Sequence, residues 1–467
     1  MVPDNNEPEV PGNNDAESAK PSRAVTAWTT GLLCLSIVAG GVIVGGLLHH
    51  PEPGLTTAPV TTTKPKPKPE KKHTYVTPPV TYPIQIPGCA TVEPPDKNRS
   101  SGMVAENKFG YDNPAYPWFS GPKAVAMSAA LHDALPDGVS LAFEAAESSL
   151  FFQPIFSPAG TADTAQSGGS TTAHSKLTRG DRAGALFISV QQGTQPIPAC
   201  VAGTLDERRR LPDGTTVDTH DTWSETDGVR TLERNVTAYA PDGTVVWLSA
   251  SDVSDGGKPT GTVPMTIDEL VTAAAAPGIR VTTPVPPGTL DPPLACHTWT
   301  AASAAIDEAT ARRLDTVLAR IPLDGLVLDR PLGALRPGGF ALVVDGPLGA
   351  LRRAAPGVCQ AVRVTAAGQQ SELNIAITVA PTRPTESAQP SSSDPPTSMR
   401  TLPDGTVVET REPEAAGANA TRVMRTVLVT RASGTAVRVE STAKTTPELL
   451  SAAQLEAIAL TPGLEVK

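Results

Sequence analysis

The chain has 467 residues, with 48 prolines, 39 glycines, only 4% aromatics and a formal net charge of −10. That length allows about three domains, but the proline and glycine content fits about two compact units joined to extended segments. The acidic balance, with no dense Lys/Arg stripe, excludes nucleic acid as a partner, because phosphate contacts need a basic face.

Residues 1–23 are polar, acidic and too poor in apolar groups to fold, which predicts a disordered tail. Residues 24–48 (AVTAWTTGLLCLSIVAGGVIVGGLL) contain no charge. As a helix they would extend about 37 Å, enough to cross a hydrocarbon core of about 30 Å. A cleaved signal peptide would have a shorter apolar run and a small-residue cleavage site, and Leu33 before Cys34 does not fit lipid attachment. The expectation is one uncleaved span in the lipid bilayer.

Lys20 and Arg23 flank the near end of this run, whereas Lys64, Lys66, Lys68, Lys71 and Lys72 lie well beyond the far end. Long domains translocate largely regardless of charge. Outside the span stand four cysteines, Cys89, Cys200, Cys296 and Cys359, an even number suited to disulfides in an oxidising exterior and too scattered for a zinc site. The expected topology has the N-terminus in the cytoplasm and the C-terminal bulk outside. Chain order suggests Cys89–Cys200 and Cys296–Cys359, although four cysteines allow three pairings.

Residues 49–88 form a Pro/Thr/Lys-rich stalk that polyproline II geometry could extend to roughly 100 Å. Residues 89–121 are irregular and carry Phe109, Tyr111, Tyr116, Trp118 and Phe119, expected to pack on the domain that follows. Residues 122–281 and 300–467 then read as two α+β units joined by a Pro-rich linker, 282–299.

The duplication is visible directly. Residues 211–251 align without a gap on residues 402–442, with 12 of 41 positions identical, so one folding unit is written twice. Each unit opens with a helix. The predicted buried stripes are Val125, Ser128/Ala129, His132 and Leu135 in the first copy, and Ile306, Leu314, Val317, Leu318 and Ile321 in the second. Strands are predicted over 185–190, 214–221, 229–240 and 244–249, answered by 373–379, 405–411, 420–431 and 435–440. Helices over 265–279 and 445–464 close the units, with Thr266 and Thr446 as N-caps. The fold class is therefore α+β: a single N-terminal transmembrane helix, then two duplicated units of antiparallel sheet with helices packed on one face.

An L-P-D-G turn, an R-x-V strand pair and a closing helix of the form S-x-x-Q-L-x-x-I-A-x-x-P (Ser451, Gln454, Leu455, Ile458, Ala459, Pro462) give the chain its family resemblance. It resembles uncharacterised membrane-anchored or secreted proteins of high-GC actinobacteria. The resemblance implies no activity and no functional residues.

No nucleophile elbow, zinc-protease motif, phosphate loop or dinucleotide fingerprint is present. His49, His50 and His73 lie beside the span or in the stalk. His132 is expected to pack in the opening helix, and His174 to lie in a surface loop, 157–178. His220 between Asp218 and Asp221 could bind metal or take a proton, but the second copy has Glu409 and Arg411 there, which favours a charged strand face. Asp137, Asp213, Asp242, Asp324 and Asp404 each precede glycine and read as turn residues rather than acid/base groups. Arg234 and Arg425, at matched positions, should serve as inward ion-pair partners or edge charges. No catalytic, cofactor or metal site is expected. The functional reading is a non-enzymatic envelope module binding a protein or polymer, with a single-pass sensor or an extracellular hydrolase as alternatives. A broad groove between the units would favour binding, and a deep polar pocket in one unit would favour an enzyme.

Overall fold

The computed structural model describes residues 74–95, 106–108, 110–158, 169–193, 196–253, 258–298, 303–338, 342–345, 350–353, 357–380, 397–415 and 421–466. All belong to the compact unit Lys72–Lys467. The predicted tail, the predicted span 24–48, the stalk lysines, His49, His50, His73 and Phe109 lie outside the described residues. Among the described residues no helix is long and apolar enough to cross a membrane.

The structure is mostly antiparallel sheet with few helices. In chain order the first half contributes β1 (Tyr75–Val76), β2 (Val92–Glu93), β3 (Glu106–Lys108), helix α1 (Gly121–Asp133), β4 (Ser140–Leu141), β5 (Phe156–Pro158), β6 (Ser170–Arg179), β7 (Arg182–Gln192), β8 (Cys200–Val201), β9 (Glu207–Arg210), β10 (Thr216–Thr226), β11 (Val229–Tyr239), β12 (Thr244–Ser251) and helix α2 (Ile267–Ala274). The second half contributes α3 (Glu308–Leu318), β13 (Leu326–Leu328), β14 (Arg336–Pro337), β15 (Leu342–Asp345), β16 (Ala350–Arg353), β17 (Val358–Ala366), β18 (Gln369–Val379), β19 (Thr397–Thr401), β20 (Val407–Ala415), β21 (Val423–Thr430), β22 (Thr435–Ala443) and α4 (Ala452–Ala459).

Two large sheets result, and their central paths agree strand for strand. The first runs β1-β10-β11-β12-β7-β6-β5-β3, with β9 also pairing β10 and β4 also pairing β6, and the second runs β19-β20-β21-β22-β18-β17-β13, so β9-β10-β11-β12-β7-β6-β4 answers the whole of the second path. The register agrees as well. Leu186 faces Ala250, Ile188 faces Leu248 and Val190 faces Val246; correspondingly Leu373 faces Ser441, Ile375 faces Val439 and Ile377 faces Val437. A one-residue slip would carry these side chains to the opposite face, so alternation in both strands holds the pairing in place. Each sheet turns this face to its own core, the first with α1 and α2, the second with α3 and α4.

The residues kept in both copies build matched local structures. Asp213 accepts from Thr215 N at 3.0 Å and Thr215 Oγ1 at 2.9 Å, and Asp404 accepts from Thr406 N at 2.9 Å and Thr406 Oγ1 at 3.0 Å. The glycines that follow, Gly214 and Gly405, have φ of 84° and 77°, which a side chain would strain. These bonds hold both carboxyls below the ordinary range. The Asp-Gly turn reading therefore holds at both L-P-D-G sites.

For Arg234 and Arg425 the structure sets aside the edge-charge alternative and adds a shared role, while Arg234 also pairs with Asp221 at 3.1 Å. Both lie on interior strands, and each sends Nη1 to a carbonyl just before a closing helix: Met265 O at 2.7 Å and Leu450 O at 2.7 Å. The next residues, Thr266 and Ser451, are the N-caps of α2 and α4, each completing a capping box with Glu269 or Gln454. The arginine shared by the two copies thus ties its strand to the residue just before the closing helix. Arg234→Met and Arg425→Met should each cost about 1.5–3 kcal/mol, the range for a charged hydrogen bond. Urea unfolding checks this, and the two losses should be similar.

Other expectations change. The helix predicted over 445–464 is a 3-10 turn at Thr446–Glu448 capped by Thr445, then α4 from Ala452, so Thr446 is not the N-cap. The opening helix buries Ala124, Met127, Ser128 and Leu131, so of the expected stripe Ser128 is buried, Val125 and Leu135 are half-buried and His132 points outward. His132 is exposed, with Nε2 3.0 Å from Ser149 O. Its alanine-rich sequence is apolar on several sides and does not mark one face by itself. His174 lies not in a loop but on β6, whose inward residues Thr171, Ala173, Ser175 and Leu177 alternate with outward ones. Residues 74–88, read as stalk, lie along the first sheet: Tyr75 pairs with Thr226, and Ile86 is buried.

Candidate binding cleft

The cysteines form two bonds, Cys89–Cys200 and Cys296–Cys359, spanning 111 and 63 residues of sequence. The first joins the parallel pair β2 and β8 over a small cluster of Ile86, Cys200 and Leu205. The second ties the Pro-rich linker to β17, beside an isolated bridge from Leu294 to Ala361.

The linker so fixed is one wall of a cavity of about 430 Å³. Asp291, Pro292, Pro293, Leu294 and Ala295 line it on the linker side, and Arg363 enters from β17. Tyr111, Asp112, Gly121, Ala146, Glu147, Phe151, Gln153 and Pro154 of the first half complete it. Gly121 is required where α1 begins, because a Cβ there would stand 2.7 Å from Pro292 Cδ.

Each wall is braced from behind. Tyr111 donates its hydroxyl to Phe152 O at 2.9 Å, and burial raises its pKa well above the ordinary tyrosine value, so it stays protonated. Its ring lies against Phe119, which is buried together with Tyr116. The aromatic segment thus packs on the first core. Gln153 Nε2 donates to Phe151 O at 2.9 Å, and Asp112 accepts from Gly121 N at 3.3 Å. On the opposite side Arg330 Nη2 donates to Asp291 O at 2.9 Å, and Arg363 lies 3.4 Å from Asp329 and 3.9 Å from Asp291.

The lining has apolar rings and prolines around three carboxylates, Asp112, Glu147 and Asp291, with one guanidinium. None of the lining side chains is a serine, cysteine or histidine. Among the described residues no group of three His, Cys, Asp or Glu side chains could hold a metal ion.

The histidine cluster on β10 does not converge. Asp218 is held by Arg208 through two bonds of 2.6 and 2.7 Å, and Asp221 pairs with Arg234 at 3.1 Å. His220 Nδ1 lies 3.3 Å from Asp206. Asp218 and His220 share one sheet face while Asp221 lies on the other, as strand alternation requires.

The cleft was not legible beforehand because its walls come from residues 111–154, 291–295 and 363, with no common motif. Of these residues the sequence singles out only Tyr111, as an aromatic packing on the domain that follows, and 291–295, as part of the Pro-rich linker 282–299.

No protein-family model matches the chain, and no curated protein matches it. Among solved structures, MucB in complex with MucA(peri) is 10% identical, covering 72% of this chain and 97% of that one, with a TM-score of 0.12. The di-domain ARO/CYC StfQ of the steffimycin pathway is 10% identical over 74% and 86%, with a TM-score of 0.12. DynU16, a putative protein of the dynemicin locus, is 13% identical over 78% and 96%, at 0.11. Scores this low do not establish even a shared fold.

Proposed function

We propose that this chain is a non-enzymatic, membrane-anchored extracytoplasmic module that binds or scaffolds an envelope protein or polymer through the cleft beside the linker. The carrying observation is the cleft itself. It lies where the two halves meet the linker, and backbone and side-chain bonds on both sides brace it. Its size and its mixed lining of apolar rings, prolines and a few charged groups suit ligand recognition. The anchor in this reading is the uncharged run 24–48, a single span in the bilayer. The stalk and the two duplicated α+β units follow it on the outside. Four cysteines engaged as two disulfides support that side of the membrane, because such bonds persist in oxidising compartments.

A reporter active only outside the cytoplasm, fused after Lys467, should be active. Photo-crosslinking groups placed at Gln153 and Ala295 in intact cells should give adducts that the same group at Asp181, in the β6–β7 turn, does not. A silent reporter would reject the outward topology. Equal labelling at all three positions would reject the cleft.

A further inference from the structure

Residues 74–86 (TYVTPPVTYPIQI) carry no charge. They run back along the side of β10 that faces away from β11. Tyr75 pairs with Thr226 at one end, and Pro87 O accepts from Arg208 N at 2.9 Å at the other. Between these points the chain passes so close to β8 that a Cβ on Gly203 would stand 2.5 Å from Val80 Cγ2. Ile86 turns inward onto Cys200 and Leu205, but the apolar side chains before it do not. Tyr75 is 69% exposed, and Val76, Val80, Tyr82 and Ile84 are 45–48% exposed. Val229, opposite Thr226, adds another at the Tyr75 end. Such groups need no explanation when scattered singly, but gathered on one sheet edge they mark an interaction surface.

We infer that this edge seats on the surface of an anionic lipid bilayer, the one that residues 24–48 are read as spanning. The inference rests on that reading of the run. Only residues 49–73 separate the run from Thr74, so the edge is tethered to that bilayer at high effective concentration and weak contacts suffice. Tyr75 and Tyr82 suit the depth of the headgroups, where a ring is buried while its hydroxyl stays wet. Just before the edge stand Lys64, Lys66, Lys68, Lys71 and Lys72, opposed by Glu70 alone. A basic stretch of this kind draws anionic headgroups. An apolar contact or a basic stretch alone attaches weakly, and the two together attach stably.

Two features favour lipid over a second copy of the chain or an extended peptide. Pro78, Pro79 and Pro83 have no amide hydrogen, so the edge cannot extend its sheet by pairing with another strand. Lipid contact needs no such bonds. Charge points the same way. The chain as a whole carries −10, which an anionic surface repels, yet from Lys64 to Ile86 the balance is positive. The part of the chain that meets the headgroups is therefore the part they attract.

The test uses the full chain with Cys34→Ser, reconstituted into phosphatidylcholine vesicles containing phosphatidylglycerol and a nitroxide-labelled lipid. A fluorophore is attached at Thr81→Cys on the edge or, as control, at Val327→Cys on β13, where the native valine is also exposed. Residues at the interface lie about 5–10 Å into the headgroup boundary, so quenching at 81 should exceed that at 327 by about threefold or more. Tyr75→Ser, Val76→Ser, Tyr82→Ser and Ile84→Ser together should bring it down to the control level with the urea midpoint unchanged. Replacing the five lysines by glutamine, or omitting phosphatidylglycerol, should also reduce it. Retention in the vesicles through alkaline carbonate with equal quenching at 81 and 327 would overturn the inference and leave the anchor standing. Release by carbonate would overturn both. Crosslinking between copies at 81 without lipid quenching would assign the edge to a second copy, and indifference to phosphatidylglycerol would reject the anionic surface.

Discussion

Replacing Cys89 and Cys200 together by serine should destabilise the folded chain by about 4–5 kcal/mol in the chain-entropy account of a cross-link of this span. The bridge joins residues 111 apart, an interval that contains α1 and the β6–β7 hairpin. Little else holds the joined segments: β2 and β8 pair over two residues, and only Ile86, Cys200 and Leu205 are buried between them. The small cluster should therefore open first. Limited proteolysis should cut near residues 86–93 before any strand of the large sheets, and the urea midpoint should fall. An unchanged midpoint and cutting pattern would show that the cluster holds without the bond.

The matched core leucines should show that the halves unfold as separate cores. Leu186 and Leu373 occupy equivalent register positions, both fully buried, one in each hydrophobic cluster. Truncation at such a site removes transfer energy and leaves a cavity, so Leu186→Ala and Leu373→Ala should each cost about 2–5 kcal/mol. Amide exchange should localise the damage. Leu373→Ala should accelerate exchange in β17, β18 and β22 while β7 and β12 keep their protection, and Leu186→Ala should do the converse. Uniform acceleration in either variant would mean one cooperative core.

The sequence marked the parts of the fold whose physics is local. The aligned copies located β10 to β12 and β20 to β22, because an L-P-D-G turn and alternating Val236/Ala238 or Val427/Val429 need only a few neighbouring residues to be recognised. Thr266 was legible as a cap for the same reason. Strand β6 was not, since its inward positions include Thr171 and Ser175, and a hydroxyl-rich stretch after a run of Ser and Gly resembles a loop. Thr171 is buried because its hydroxyl donates to Gln153 O at 2.5 Å, a partner 18 residues away that no local pattern reveals. The role of Arg234 and Arg425 escaped similarly: their identity at matched positions marked them as structural, but the accepting carbonyls lie 31 and 25 residues on. The cleft depends on segments distant in sequence, which composition and periodicity do not encode.

The outward, oxidised placement of the duplicated region is tested most directly by mass spectrometry of unreduced peptides from protein recovered from the cell envelope, with free thiols blocked at lysis. The expected result is linked peptides for Cys89–Cys200 and Cys296–Cys359, with Cys34 alone blocked. Recovery of Cys89, Cys200, Cys296 and Cys359 all as blocked thiols would contradict the placement and the function built on it.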